Sequence, residues 1–334
     1  MKKLIYSFVI LTAAACLLAA PASAADKPMT NVSLISGPFG TSSYVLSSAL
    51  EEMSKKFHPS IRITSSETPG LVFNCKKMNK EPELKKSMFM SYTVGINWLA
   101  QQGLKPFDKK YPSAMLIANY NIGSVWLASL DAKIKGKEDL VGKKVAIGRG
   151  TQILWAIEPE WLIRIGWELK DKMDIQYVGT DPAKTALLDG LVNAAVVGGY
   201  ADPVSGKFSA SPQTIELIAT GKKLSHIPWG KEAVQKVIAQ GIPIAHLNLP
   251  ANSLPGQDNA LDVFADPIAW VAWPEFPEEL AYEITKMIIA NVSQFKNYHN
   301  LGELMSPKSL PFGWDPKNIH PGALRAYREA KILD

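Results

Sequence analysis

The chain has 334 residues, of which 47% are hydrophobic and 20% charged, with a formal net charge of +5. These proportions exclude a disordered, collagen-like or multi-span membrane chain, and the length suffices for two domains that bury their cores without covalent staples. Lys2 and Lys3 account for two of the five charges. The other Lys and Arg residues are interspersed with Asp and Glu, which disfavours a nucleic-acid partner.

Residues 1–24 read as a secretory signal peptide. Lys2 and Lys3 form the positive start, Leu4 to Ala20 the apolar stretch, and Ala22-Ser23-Ala24 the small-x-small cleavage site, so the mature chain is expected to start near Ala25 in the periplasm. The apolar stretch is short and ends at Pro21, which argues against a membrane anchor. A lipoprotein site at Cys16 is disfavoured, because Ala13 stands where a Leu is usual. Cys75 is then the only mature cysteine. It can make no intramolecular disulfide, and Asn74, Lys76 and Lys77 offer it no base, so it reads as a buried structural thiol.

Apolar, β-branched runs alternate with amphipathic segments, the pattern of βαβ units. Val32 to Ser36 predicts a first strand. The loop Gly37-Pro38-Phe39-Gly40-Thr41 leads into a helix with Leu46, Ala49, Leu50, Met53 and Phe57 on one face. Strands are expected at Ile61–Ser65 and Ser87–Ser91, then at Ala114–Ala118 and Ser124–Ser129, the last two joined by Asn119-Tyr120-Asn121. A second block follows the polar stretch Asp131–Asp139. It has a strand at Lys144–Ile147, the turn Gly148-Arg149-Gly150-Thr151 and a helix, then a strand at Ile175–Val178, a helix at Pro182–Leu188, and strands at Ala194–Val197 and Thr214–Ala219. The chain is expected to return to the first block near Pro243–Leu249. A helix opens at Pro277 with Leu280, Ile284, Met287, Ile288 and Phe295 on its buried face. The reading is an α/β chain in two lobes with a ligand cleft between them. Residues 31–130 and 244–334 form lobe one, and residues 131–243 form lobe two.

Several chemistries lack their residues. Gly136 and Gly142 enclose five residues before Lys143-Lys144, so a Walker loop is missing. Ile153 stands where a dinucleotide fingerprint needs Gly, and there is no Gly-x-Ser-x-Gly elbow. His58, His226, His246, His299 and His320 never pair at metal-ligand spacing. No cofactor or metal is expected, and an enzyme is the lesser reading. What remains is three loops at strand carboxyl ends, Gly37–Ser43, Glu67–Gly70 and Gly148–Gln152. Helix starts in such places favour anions. Gly40 lets backbone approach a ligand. Thr41 offers a hydroxyl, although it could equally be a helix cap, and Tyr44 lies one turn in. Arg149, between two glycines, can hold a carboxylate in two parallel hydrogen bonds, with Thr151, Gln152 and Tyr200 as the other second-lobe contacts. Trp155, Trp161 and Trp167 read as core, and Trp98 and Trp126 lie nearer the cleft strands.

The motifs are similar to those of a known family, the TAXI-type solute receptors of TRAP transporters. The likeness begins at Ser36-Gly37 through Gly40 to Tyr44, with Thr68, Gly70 and Asn74 at the second loop. It continues through Leu140-Val141-Gly142-Lys143-Lys144-Val145-Ala146-Ile147-Gly148, Asp189-Gly190 with Ala194-Ala195, Pro255-Gly256-Gln257-Asp258, Pro277-Glu278-Glu279-Leu280 and His320-Pro321-Gly322-Ala323-Leu324. The resemblance implies a monomeric periplasmic receptor of the type II binding-protein fold. It would capture a small organic anion, a carboxylic or amino acid, and deliver it to a sodium-coupled TRAP-type membrane permease. Alternatives are a receptor feeding an ABC importer or a sensor kinase. Thr68, Gly70, Asn74 and Tyr92 enter the candidate site through the resemblance. Departures at Pro69-Gly70-Leu71, Ser91-Tyr92-Thr93, Arg149-Gly150-Thr151-Gln152 and Leu254 leave the ligand itself open.

Overall fold

The computed structural model of the protein describes residues 28–334. The expected leader, residues 1–24, lies outside them. The first block runs β1 (Thr30–Ile35), α1 (Ser42–Phe57), β2 (Ile61–Ser66), α2 (Leu71–Lys80), β3 (Met88–Thr93) and α3 (Val94–Gln102). β1 lies between β2 and β3, parallel to both, so the starts of α1, α2 and α3 gather at one carboxyl edge. α1 forms because Leu46, Ala49, Leu50 and Met53 recur on one buried face, with Thr41 capping its first turn and Lys55 and Lys56 facing its negative end.

Next comes β4 (Met115–Ser129), a single strand of 15 residues where the sequence predicts two. The polar Asn119-Tyr120-Asn121 does not break it, because two of its side chains are bonded sideways. Asn119 donates to the carbonyls of Ser309 and Phe312 and accepts from the Trp314 indole, while the Tyr120 hydroxyl lies 2.7 Å from Ser43 Oγ.

The second block holds β5 (Lys144–Ile147), α4 (Glu158–Trp161), β6 (Asp174–Tyr177), α5 (Thr180–Leu188), β7 (Ala194–Ala201), β8 (Phe208–Ala210), α6 (Pro212–Ala219), β9 (Ser225–Ile227), α7 (Lys231–Ala239) and β10 (Ala245–Leu249). α4 is flanked by widened π-type turns at Ile153–Ile157 and Leu162–Gly166. Thr214–Ala219, expected as a strand for its β-branched residues, is helical. Ser211 caps the Thr214 N–H and Pro212 fills the first turn, and this start signal outweighs β propensity. The chain closes with β11 (Leu261–Ala272), which the sequence reading missed, then α8 (Glu278–Asn291) and α9 (Pro321–Glu329). Phe295 lies beyond α8 in a tight turn, buried as expected.

The sheet follows the order β2-β1-β3-β11-β4-β7-β5-β6. β4 and β11 run antiparallel and pass from one lobe to the other. The first half of β4 pairs with β11 and the second with β7. The first half of β11 pairs with β10 and the second with β3. Neighbours change where Ile122 and Gly123 oppose Pro267 and Asp266, and Pro267 has no N–H to give the ladder there. The expected return near Pro243 takes a different form. β10 stays antiparallel to Leu261–Ala265 and packs against α7. Its apolar alternation announces a strand but carries no information about its partner. Trp126, Trp270 and Trp273 are fully buried along this crossing.

Candidate functional site: a polar seam where the lobes meet

Ser36 ends β1, and the turn after it sets the start of α1 at the crossing. Gly40 adopts φ +78°, a left-handed geometry that side chains resist. Thr41 Oγ1 accepts the Tyr44 N–H at 3.3 Å and donates to the Pro38 carbonyl at 2.7 Å, so its hydroxyl is engaged in the cap. Tyr44 is half-buried, its ring 5.1 Å from that of Phe39, which is 76% exposed. The partners of the next residues inward are not legible in the sequence. Ser43 Oγ meets the Tyr120 hydroxyl at 2.7 Å, and Ser42 faces the hydroxyl of Tyr200, brought by β7 of the second lobe. Burial raises the pKa of both tyrosines, which keeps them neutral hydrogen-bonding groups.

The second loop is tied to the first, since the Phe39 N–H donates to Glu67 Oε1 at 3.0 Å. Thr68 is buried and spends its hydroxyl on the Ser36 carbonyl at 2.9 Å, with the Gly70 N–H donating back at 3.4 Å. Asn74 donates to the carbonyls of Ser36 at 2.6 Å and Ser91 at 3.2 Å, bracing the ends of β1 and β3. Tyr92 is fully buried beside the Cys75 thiol, and its hydroxyl donates to the Ile96 carbonyl at 3.4 Å. Thr68, Asn74 and Tyr92 are thus held in the layer packed by α2. Cys75 is a free, buried thiol, and burial pushes its pKa up.

In the second lobe, Gln152 Oε1 accepts the Arg149 N–H at 2.7 Å. The exposed Arg149 side chain lies across the start of α5, with Nε 3.3 Å from where a Cβ on Gly179 would stand. Arg149, Thr151 and Gln152 form one rim. Among the described residues no hydrogen bond joins them to Ser42–Tyr44. Of the expected site, the structure brings Gly40, Thr41, Tyr44 and Gly70 to one edge, Tyr200 opposite Ser42, and Arg149 with its neighbours on a separate rim.

A buried carboxyl pair at the crossing is the other feature missed. Asp266 on β11 and Glu158 on α4 are both fully buried and adjacent. The Gly95 N–H at the start of α3 donates to Asp266 Oδ1 at 3.5 Å, and a Cβ on Gly95 would stand 2.6 Å from Glu158 Oε1. Asp266 Oδ2, both Glu158 oxygens and both polar atoms of nearby Asn121 have no protein partner among the described residues. Desolvation pushes the Asp266 pKa up to about 7. Desolvation and the Asp266 charge hold that of Glu158 well above the ordinary carboxylate range, so the pair retains a proton. A sequence signal existed: Asp266-Pro267 inside an apolar run cannot be ordinary strand interior.

Trp98 and Trp161 meet edge-on across this seam at 5.5 Å, and Trp126 is core. Among the described residues no three His, Cys, Asp or Glu side chains are placed to hold a metal ion, and no helix is long and apolar enough to cross a membrane.

Comparison with known proteins fits this architecture. None of the curated proteins matches the chain. Among solved structures, a TctC solute-binding protein from Polaromonas superposes with a TM-score of 0.52 at 14% identity, over 92% of this chain and 99% of that one. The periplasmic aliphatic sulphonate-binding protein SsuA from Escherichia coli scores lower, at 0.47 and 12% identity over 90% and 83% of the two chains. An adipate-bound protein from R. palustris gives 0.48 and 15% identity over 92% and 97%. At 14% identity the likeness to the TctC protein speaks to fold alone, a two-lobed α/β solute-binding architecture. The NMT1-like family matches residues 34–330, nearly the whole described chain, and the protein belongs to that family.

Proposed function

We propose that the protein is a periplasmic solute receptor that closes its two lobes around a small organic anion and releases it unchanged to a membrane transporter. The observation that carries this reading is the hydroxyl contact of Ser43 of the first lobe with Tyr120 of the crossing strand, beside Tyr200 of the second lobe. Polar groups from both lobes converge where the strands cross, as a closing receptor requires. The lobes turn about Ile122–Gly123 and Asp266–Pro267, so the second lobe runs roughly from residue 122 to 266. The anionic end of the solute sits at the start of α1, where backbone N–H groups and the helix dipole favour negative charge, and Arg149 reaches it from the other side. Gly40, Thr41, Tyr44, Gly70, Thr151, Gln152 and Tyr200 complete the lining, and Thr68, Asn74 and Tyr92 hold it in shape. The order of the TAXI-like motifs supports a TRAP-type permease as the partner, with the chain acting as a monomer.

A thermal-shift screen of carboxylic, amino and sulfonic acids on the mature protein tests this reading. A solute at 100 times its Kd adds about 2.7 kcal/mol of stability. The binder is expected back unchanged after long incubation. Its turnover would make the protein an enzyme, and the absence of any stabilising acid would overturn the ligand class.

A further inference from the structure

A groove of about 1010 Å³ lies on the second lobe, bordered by residues 130–135, 222–228 and 256–261. Its floor carries His226 on β9, paired with Ala128 near the far end of β4. From Gly123 at the crossing to Leu130 at this groove, β4 extends roughly 20 Å, so the groove is separate from the seam.

The ring of His226 has a defined tautomer. The Trp126 indole is a donor only, and its Nε1–H points to His226 Nδ1 at 3.0 Å. Nδ1 therefore accepts, and the proton of the neutral ring sits on Nε2. Desolvation lowers the His226 pKa, which favours that neutral form, although Asp258 opposes the shift. Nε2 is buried and has no acceptor among the described residues. An N–H held away from water without an acceptor is unfavourable, so the site calls for an oxygen. Lys135, Lys222 and Lys223 line the same groove, and among the described residues none of the three side chains is in an ion pair. Asp258 is the one acid lining it. Leu130, Leu224, Pro228 and Leu261 supply the groove's apolar wall.

We infer that this groove is a second binding site, for an organic anion with an aliphatic body. Its carboxylate is held by Lys222 and Lys223, with an oxygen accepting from His226 Nε2–H. The apolar wall selects a carbon chain over a bare inorganic ion, because burying it adds hydrophobic stabilisation that phosphate lacks.

The test is a titration of the mature protein with octanoate, and separately with inorganic phosphate, followed by the ¹H–¹⁵N signals of the His226 ring and the Trp126 indole. Octanoate is expected to shift both signals to saturation, while phosphate binds more weakly. The double variant Lys222→Gln, Lys223→Gln, at exposed positions that leave the fold intact, should weaken octanoate about tenfold, as lost charge-assisted contacts do. Binding at the seam alone should leave the His226 ring signal in place, which separates the two sites. His226 signals that ignore octanoate, or equal affinity in the lysine double variant, would overturn the proposal. A ring that titrates freely near the ordinary histidine pKa would refute the tautomer on which it stands.

Discussion

Replacing Asp266 with Asn probes the buried carboxyl pair through the pH dependence of stability. In the unfolded chain Asp266 ionises near 3.8, and in the folded protein near 7. Below about pH 4 both states hold the proton and the group is neutral in its effect. Between these values the folded state keeps a proton that the unfolded state has lost. Unfolding then releases it, and stability falls by about 1.4 kcal/mol for each pH unit gained. Above pH 7 the contribution of Asp266 levels off. Asp266→Asn removes this dependence and offers Glu158 an amide donor in place of a second acid. The melting temperature of the natural protein should therefore fall between pH 5 and 8. The variant should show a flatter profile and match or exceed the natural protein at pH 8. Equal slopes for the two proteins would show that Asp266 ionises in the folded state like an exposed carboxylate, and the reading of the crossing as a dry, proton-retaining seam would fail.

The hydroxyl contact between Ser43 and Tyr120 is best tested as a double-mutant cycle. Ser43→Ala or Tyr120→Phe alone leaves a buried hydroxyl unpaired and should cost about 1–3 kcal/mol in urea unfolding, whereas the double variant should cost clearly less than the sum. Thr41→Ala should lower stability by about 1 kcal/mol as a lost cap. Calorimetry with the identified solute then tells whether the hydroxyl also binds, since unchanged affinity would assign it to the cap alone. Arg149→Ala should weaken solute binding roughly ten- to hundredfold, with Arg149→Lys recovering only part because the fork is lost. An effect within about twofold would remove Arg149 from the site.

The parallel first block was legible because its strands and helices carry their own signals: the apolar face from Leu46 to Met53, the cap at Thr41, and the glycine-rich turn into α1. The crossing was not. In β4, Asn119, Tyr120 and Asn121 look like a break in the sequence, and only tertiary partners such as Ser309, Phe312 and Ser43 satisfy the first two. β11 supplies Asp266, yet its pairing with β3, β4 and β10 depends on residues far away in the chain. Thr214–Ala219 is helical because Ser211-Pro212, a helix start present in the sequence itself, outweighs its β-branched content. Among the site residues, loops at strand ends could be named. Tyr120, Glu158 and Asp266 could not, because a buried polar group acquires meaning only from the side chains folded against it. Asn74 and Tyr92 illustrate the converse: motif position brought them into the candidate site, and their hydrogen bonds show them holding the sheet.

Closure of two lobes on a solute is the central claim, and small-angle X-ray scattering of the mature protein with and without the acid found in the thermal screen measures it directly. A receptor hinged at Ile122–Gly123 and Asp266–Pro267 should become more compact at saturation, with a smaller radius of gyration and a scattering curve matching a closed arrangement of the lobes. An acid that binds tightly and leaves the scattering unchanged would contradict hinge closure and move the binding site away from the seam.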